Sequence, residues 1–262
     1  MFSKSRTRLS TAEFSQQIER LQTLSLIHIY KVKSVLQIKG IPLIKFQSRD
    51  IIEKTQKGKI YAKTLDYYRN LESGSGDQRV GDEFEAMLHV NEGKFISKET
   101  GEISDLRDVL IPSSNSNDYA YCMFSCDHSR MPFSFTDEQK SEILKMGDTA
   151  LIITDYAEFR HRVEEKAKEE GYNTHFGYVQ YYDETKDNVN LLASTLLGVW
   201  TLAFWKRKKY SYQQEARFIF SPFKEGTDHI ELDIGDISDI SKIVDSRSLL
   251  SALIREPDRE DN

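Results

Sequence analysis

The stretch KYSYQQEARFIF, Lys209 to Phe220, decides how this chain is read. Laid out as a strand, its side chains alternate between two faces. Tyr210, Tyr212, Ala216, Phe218 and Phe220 fall on one, which reads as a core face. Ser211, Gln213, Glu215, Arg217 and Ile219 fall on the other. A phenylalanine-rich strand that follows a long apolar run belongs in the middle of a fold, where an unpaired carboxylate is costly. Two readings follow. Either Glu215 and Arg217 pair internally on a half-exposed sheet, or Glu215 is a site carboxylate held by Arg217 and Gln213. An amide and a carboxylate side by side suit a reaction through an oxocarbenium-like sugar. There a carboxylate stabilises positive charge and accepts a hydrogen bond from a ribose hydroxyl.

Working outward, Lys206, Arg207, Lys208 and Lys209 stand between Trp205 and Tyr210. Such a run grips phosphates while aromatic rings meet bases, or it decorates a helix C-terminus whose dipole favours cations. The preceding NLLASTLLGVWTLAFW (190–205) is the most apolar run and predicts a buried helix. HIELDIG (229–235) alternates as a strand. Upstream, IPLIKFQS (41–48) is β-branched and aromatic, a strand. RDIIEKTQKGK (49–59) follows as a helix, capped by Ser48 or Asp50 and stopped at Gly58. IYAKTLDYYRNLE (60–72) begins as a second strand, and SGSGDQRVGDEFEAM (73–87) has loop composition. HVNEGKFISKETGEI (89–103) predicts a hairpin with turn chemistry at NEGK and KETGE. YAYCMFSC (119–126), TALIIT (149–154) and HFGYVQYYD (175–183) predict strands. TDEQKSEILKMGD (136–148) and DYAEFRHRVEEKAKEEG (155–171) predict helices, led by Thr136 and Asp155 and ended by Gly147 and Gly171. Strands and helices mix without regular βαβ alternation, so the expected class is α+β with mostly antiparallel sheets and flanking helices.

Residues 1–40 predict an N-terminal helical arm: Ser10 or Thr11 caps it, and Phe14, Ile18, Leu21 and Leu24 recur at helical spacing. The main domain then runs over 41–250, and 251–262 form a charged tail. At 262 residues, 39% hydrophobic and 30% charged, the composition is that of one large globular domain with an appendage. No apolar run approaches a membrane span, and MFSKSRTRLS leads into polar sequence instead of a signal-peptide core. A cytoplasmic location with no membrane partner is the expectation. A net charge of −6 does not advertise nucleic-acid binding by the whole surface. Cys122 and Cys126 read as buried thiols of a strand, with only His128 nearby as a further metal ligand.

RVGDEFEA (79–86) crowds Arg79, Asp82, Glu83 and Glu85 onto a glycine-containing loop. Three readings stay open: a solvated acidic loop, a divalent-cation or nuclease-like cluster of Asp82, Glu85 and Glu215, and a loop stiffened by Arg79 pairing with Asp82 or Glu85.

Gln213-x-Glu215 resembles the Q-x-E element of ADP-ribosyltransferases. Tyr68-Arg69…Glu72, Arg79…Gly81-Asp82…Glu85 and Lys206 or Lys208 leading to Tyr212, Gln213, Glu215 and Arg217 also resemble a bacterial family of poorly characterised proteins. That family is related to AbiGi-type abortive-infection proteins, and LDIGDISDIS (232–241) fits the same pattern. The resemblance covers most of 41–245. It implies an ADP-ribosyltransferase-like α+β domain that uses NAD as co-substrate, in a toxin or antiviral effector. It also implies a nucleic acid as a plausible acceptor and an antitoxin or chaperone docking on the N-terminal arm. Carried over by position, Glu215 is the catalytic glutamate, with Gln213 and Arg217 beside it. Lys45, Gln47 and Ser48 are the first-strand NAD contacts; Gln47 stands where a His or Arg is usual. Tyr61 is the second-strand aromatic for the nicotinamide, with Tyr67 in reserve. A metal-dependent nuclease and a non-catalytic binding module of a defence operon remain as alternatives.

Overall fold

A computed structural model of the chain describes residues 42–75, 81–97, 99–112, 117–126, 133–223 and 227–254. The expected arm at 1–40, the end of the tail and Arg79 lie outside them. In chain order the elements begin with β1 (Leu43–Gln47), α1 (Arg49–Gln56), β2 (Lys59–Thr64) and α2 (Leu65–Ser75). Next come β3 (Met87–Ile96), β4 (Ile103–Pro112), β5 (Tyr119–Ser125) and β6 (Phe133–Ser134). They continue with α3 (Asp137–Leu144), β7 (Thr149–Ile153), α4 (Tyr156–Glu169), β8 (Tyr172–Tyr178) and β9 (Gln180–Tyr182). The remainder are α5 (Val189–Ser194), β10 (Trp205–Arg207), β11 (Glu215–Pro222), β12 (His229–Asp233), β13 (Ser241–Asp245), α6 (Ser246–Leu250) and β14 (Leu253–Ile254). The α+β class holds.

β5 organises the main sheet. Along one edge it pairs with β11 from Phe124↔Glu215 to Tyr119↔Phe220. Its other edge is shared: β2 takes Tyr119 and Ala120, and β1 takes Phe124 and Ser125. β12 lies outside β2, β7 and β13 lie outside β1, and β8 lies outside β11, every pair antiparallel. YAYCMF and ARFIF can occupy the centre because both of their faces are apolar enough to bury.

One face of this sheet carries the largest core cluster. Tyr119, Tyr121, Met123, Ala216, Phe218 and Phe220 pack there on Ile52 of α1 and on Phe159, Val163 and Ala167 of α4. The other face is covered in two pieces. Leu65, Ala86, Tyr182, Leu202 and Ala203 lie over Ala120 and Ile219. Phe133, Phe135, Ile143 and Leu249 lie over Ile44 and Phe124. Cross-strand pairs share a face, so Glu215, opposite Phe124, and Arg217, opposite Cys122, sit where one cover gives way to the other. The polar side chains of the opening stretch therefore occupy a seam between two apolar patches.

Four expectations are corrected. Only Glu215–Pro222 of the opening stretch is a strand; Lys208–Gln213 is a 3₁₀ turn, closed by Gln214 at φ 40. The apolar run 190–205 is no buried helix. It breaks at Gly198 (φ 134) into α5 and 3₁₀ turns, and Leu192 and Leu197 face solvent. β3 runs straight through NEGK, so of the two expected turns only the one after Ile96 reverses the chain into β4. The second strand, β2, hands over at Leu65 to α2, which extends into the expected loop as far as Ser75. Gly58 stops α1 as expected, and at φ +93 a Cβ there would stand 2.1 Å from the Gly235 carbonyl oxygen. Gly58→Ala is expected to lose about 1–3 kcal/mol through combined strain and overlap, read as a lower urea midpoint with unchanged slope.

Candidate functional site

Glu215 opens β11. The left-handed Gln214 turns the chain into the strand and gives its carbonyl to the Ser125 N–H at 2.8 Å. The Glu215 backbone is fixed from β9 and the residue before it: its N–H donates to the Tyr181 hydroxyl at 2.9 Å, and its carbonyl accepts from the Val179 N–H. The carboxylate accepts from Lys206 Nζ on Oε1 (2.8 Å) and from Arg217 Nε on Oε2 (2.6 Å). Lys206 donates also to Gln213 Oε1 at 2.7 Å. Arg217 reaches past Glu215 to both oxygens of Glu85, at 2.5 and 3.1 Å, and to the Ala203 carbonyl. Charges thus alternate along Lys206, Glu215, Arg217 and Glu85.

Burial decides how this chain of charges is to be read. The side chains of Arg217, Lys206 and Glu85 are 2%, 2% and 1% exposed, while that of Glu215 keeps 11%. The expected Glu215–Arg217 pair exists, but within the interior, not on a half-exposed sheet. Glu215 is the member of the set that solvent reaches. Burial pushes its carboxyl up, yet Arg217 and Lys206 outweigh burial and bring it down to about 2. For Glu85 burial wins over Arg217 and Lys206, and its carboxyl lies above the ordinary range. Cys122, in the same seam, is pushed up to about 11 by burial, with Glu215 adding to the effect.

A second network adjoins the first. Arg207 donates to Asp82 (2.8 Å), Glu83 (2.9 Å) and Glu72, and lies over the Phe84 ring at 4.3 Å. Lys209 donates to Glu72 at 2.8 Å. The basic run is therefore not a landing patch for phosphates: Lys206 and Arg207 point inward, Lys209 is tied to Glu72, and Lys208 is left on the surface. Nor does an α-helix end there; a 3₁₀ turn does, at Phe204. Three-residue β10 pairs in parallel with β9, and its short length hid the inward turn from periodicity.

The acidic loop reading changes too. Asp82 and Glu85 are fully buried, and their partners are Arg207 and Arg217, from 125 and 132 residues away, where the sequence suggested Arg79. Each acid faces a guanidinium, and among the described residues no group of three His, Cys, Asp or Glu side chains is arranged to hold a metal ion. A nuclease cluster of Asp82, Glu85 and Glu215 is not what this geometry builds.

The expected cofactor contacts divide. Lys45 extends from β1 to the Cys122 carbonyl (2.8 Å) and over the Tyr121 ring (4.7 Å). It fills the stretch of β5 left between β1 and β2. Burial lowers its pKa, with Cys122 and Glu215 opposing. Gln47 and Ser48 lie farther along, at the start of α1, and Gln47 Oε1 accepts from the Ser48 N–H. Tyr61 and Tyr67 are 47% and 42% exposed. They share Lys63, whose Nζ lies 5.5 and 5.0 Å from their ring centroids, and Tyr61 stacks obliquely on His229 at 5.0 Å. Strand alternation puts Tyr61 on the sheet face of Glu215, two strands away across β5. The two are not in contact.

Glu72 is likewise held at about 2: burial raises it, and the Lys209 hydrogen bond, the Glu83 N–H and Arg207 overcome that. A carboxylate depressed in the folded state stabilises the fold above its unfolded pKa and loses that contribution as pH falls through the folded value. Stability is therefore expected to decline from about pH 5 down to about pH 2. Glu72→Gln should flatten that decline in urea titrations at stepped pH.

No family model, curated protein or solved structure matches the chain.

Proposed function

We propose that this chain is an ADP-ribosyltransferase-like enzyme, with NAD as co-substrate and Glu215 as the ribose-binding carboxylate. The observation that carries the reading is the state of Glu215: held ionised, oriented by Lys206 and Arg217, beside Gln213, and the least buried member of its set at 11% exposure. A carboxylate with one cation on each oxygen still has lone pairs for a ribose hydroxyl. It is a poor nucleophile but a well-fixed acceptor, as stabilisation of an oxocarbenium ion requires. In the reaction, the bond between ribose C1′ and the nicotinamide nitrogen breaks and nicotinamide leaves with the bonding pair. The acceptor's lone pair then closes on C1′ and the acceptor gives up its proton. Tyr61 is 47% exposed on the sheet face of Glu215, but Lys63 lies over its ring and His229 stacks on it, so a nicotinamide cation would have to displace one of them to use that ring.

The acceptor is not given by the basic run, of which Lys206 and Arg207 are buried and Lys209 is tied to Glu72. Incubation with labelled NAD and total cell extract, followed by separate nuclease and protease digestion, tests the class and the acceptor together. Label that enters macromolecules and is released by nuclease identifies a nucleic acid; release by protease identifies a protein. Absence of label from both fractions overturns the proposal.

A second reading has its own support. The bidentate Glu85–Arg217 pair is as closed as any core contact, and it suits a binding module of a defence system in which these charges only shape the fold. The two readings part at Glu215.

A further inference from the structure

We propose that Lys206 is a positioning residue, which the parallel ribbon β9–β10 uses to lock Gln213 and Glu215 into one presented unit. This rests on the reading of Glu215 as the ribose-binding carboxylate. The ribbon takes hold of Glu215 at two points. Tyr181 of β9 accepts the Glu215 N–H, and Lys206 of β10, its register partner in the ribbon, bonds the carboxylate. The same ammonium bonds Gln213 Oε1, and its third neighbour is the Tyr210 ring at 4.7 Å.

Sharing one ammonium has a consequence for the amide. A glutamine side chain can present either its oxygen or its nitrogen to a site, and only its hydrogen bonds decide which. Lys206 accepts nothing, so it binds the oxygen and turns Nε2 the other way, where it donates to the Tyr212 hydroxyl at 3.2 Å. Glu215 Oε1 is set by the same nitrogen. The relative placement of amide and carboxylate therefore depends on one buried cation from a different element. That is a firmer arrangement than two neighbouring side chains reach by themselves.

The test uses the full chain with ¹⁵N labelling. A buried, bonded ammonium gives a slowly exchanging ¹⁵Nζ signal for Lys206 near neutral pH, and its absence from the wild-type protein overturns the proposal. The Gln213 side-chain amide, assigned by its loss in Gln213→Ala, is expected to show two well-separated proton shifts. Lys206→Met should collapse that separation, and Lys206→Arg should retain it. In the labelling reaction, Lys206→Met is expected to lower kcat about ten- to a hundredfold, with KM for NAD little changed and partial recovery in Lys206→Arg. An unchanged Gln213 amide in Lys206→Met sinks the proposal, as does a rate loss that matches the unfolded fraction. If the wild-type chain transfers no label, the enzymatic reading fails by itself, and Lys206 is judged on the two NMR signatures. If Lys206→Met does not fold, the wild-type ammonium signal and the Lys206→Arg amide decide.

Discussion

Arg217→Met is expected to lose about 3–5 kcal/mol of folding stability, measured as a lower urea midpoint. The reason lies in what the guanidinium leaves behind. Arg217 is 2% exposed and donates to Glu215, to both oxygens of Glu85 and to the Ala203 carbonyl. Methionine fills much of the volume and supplies none of those donors. Glu85, fully buried, would then keep a charge with no partner at hand or take up a proton. Glu215 would fare better, because Lys206 remains on its other oxygen. The penalty should therefore reside mainly in Glu85. Combining Glu85→Gln with Arg217→Met is expected to recover part of the loss, since a neutral amide is cheaper to bury than a carboxylate. Additive losses in the double variant would mean that the pair is not coupled, against the geometry described.

The same residues explain what the sequence could and could not tell. The alternation of Glu215 to Phe220 was legible, because a strand buried on both faces writes period two in aromatic and charged residues. Lys209 to Gln213 was not. A 3₁₀ turn has no period-two signature, and nothing in a glutamine announces the left-handed backbone of Gln214. The apolar run 190–205 failed for a related reason: Gly198 at φ 134 breaks it, and hydrophobicity does not report the break. At the site, the pairing of Glu215 with Arg217 could be read from a spacing of two. The partners that settle its character could not. Glu85 is 132 residues from Arg217 and Asp82 is 125 from Arg207, and no local spacing encodes contacts at that range. What the sequence did offer was an excess of cations directly ahead of a buried strand. Those cations pointed to phosphates only so long as the acids of 72–85 were thought to be in water.

Glu215→Gln is expected to lower transfer of label from NAD at least about a hundredfold, with the fold retained. The amide keeps the shape and can still accept from Lys206, so that pair loses charge but not contact. The amide nitrogen then faces Arg217 Nε–H, donor to donor, but the rest of the guanidinium retains Glu85 and the Ala203 carbonyl. Stability should fall by about 1–3 kcal/mol, the order of one buried charged hydrogen bond. What disappears is the negative charge that faces the ribose, and with it the preference for the oxocarbenium ion over the ground state. The two readings then separate. An enzyme loses rate in a variant that circular dichroism and urea unfolding show to be folded. A module whose charges only shape the fold loses stability and has no rate to lose. Undiminished labelling by folded Glu215→Gln would remove this carboxylate from the chemistry, and the other members of its chain of charges could not replace it. Arg217 and Lys206 carry the wrong sign for the task, and Glu85 lies behind them, closed off by the arginine that holds it.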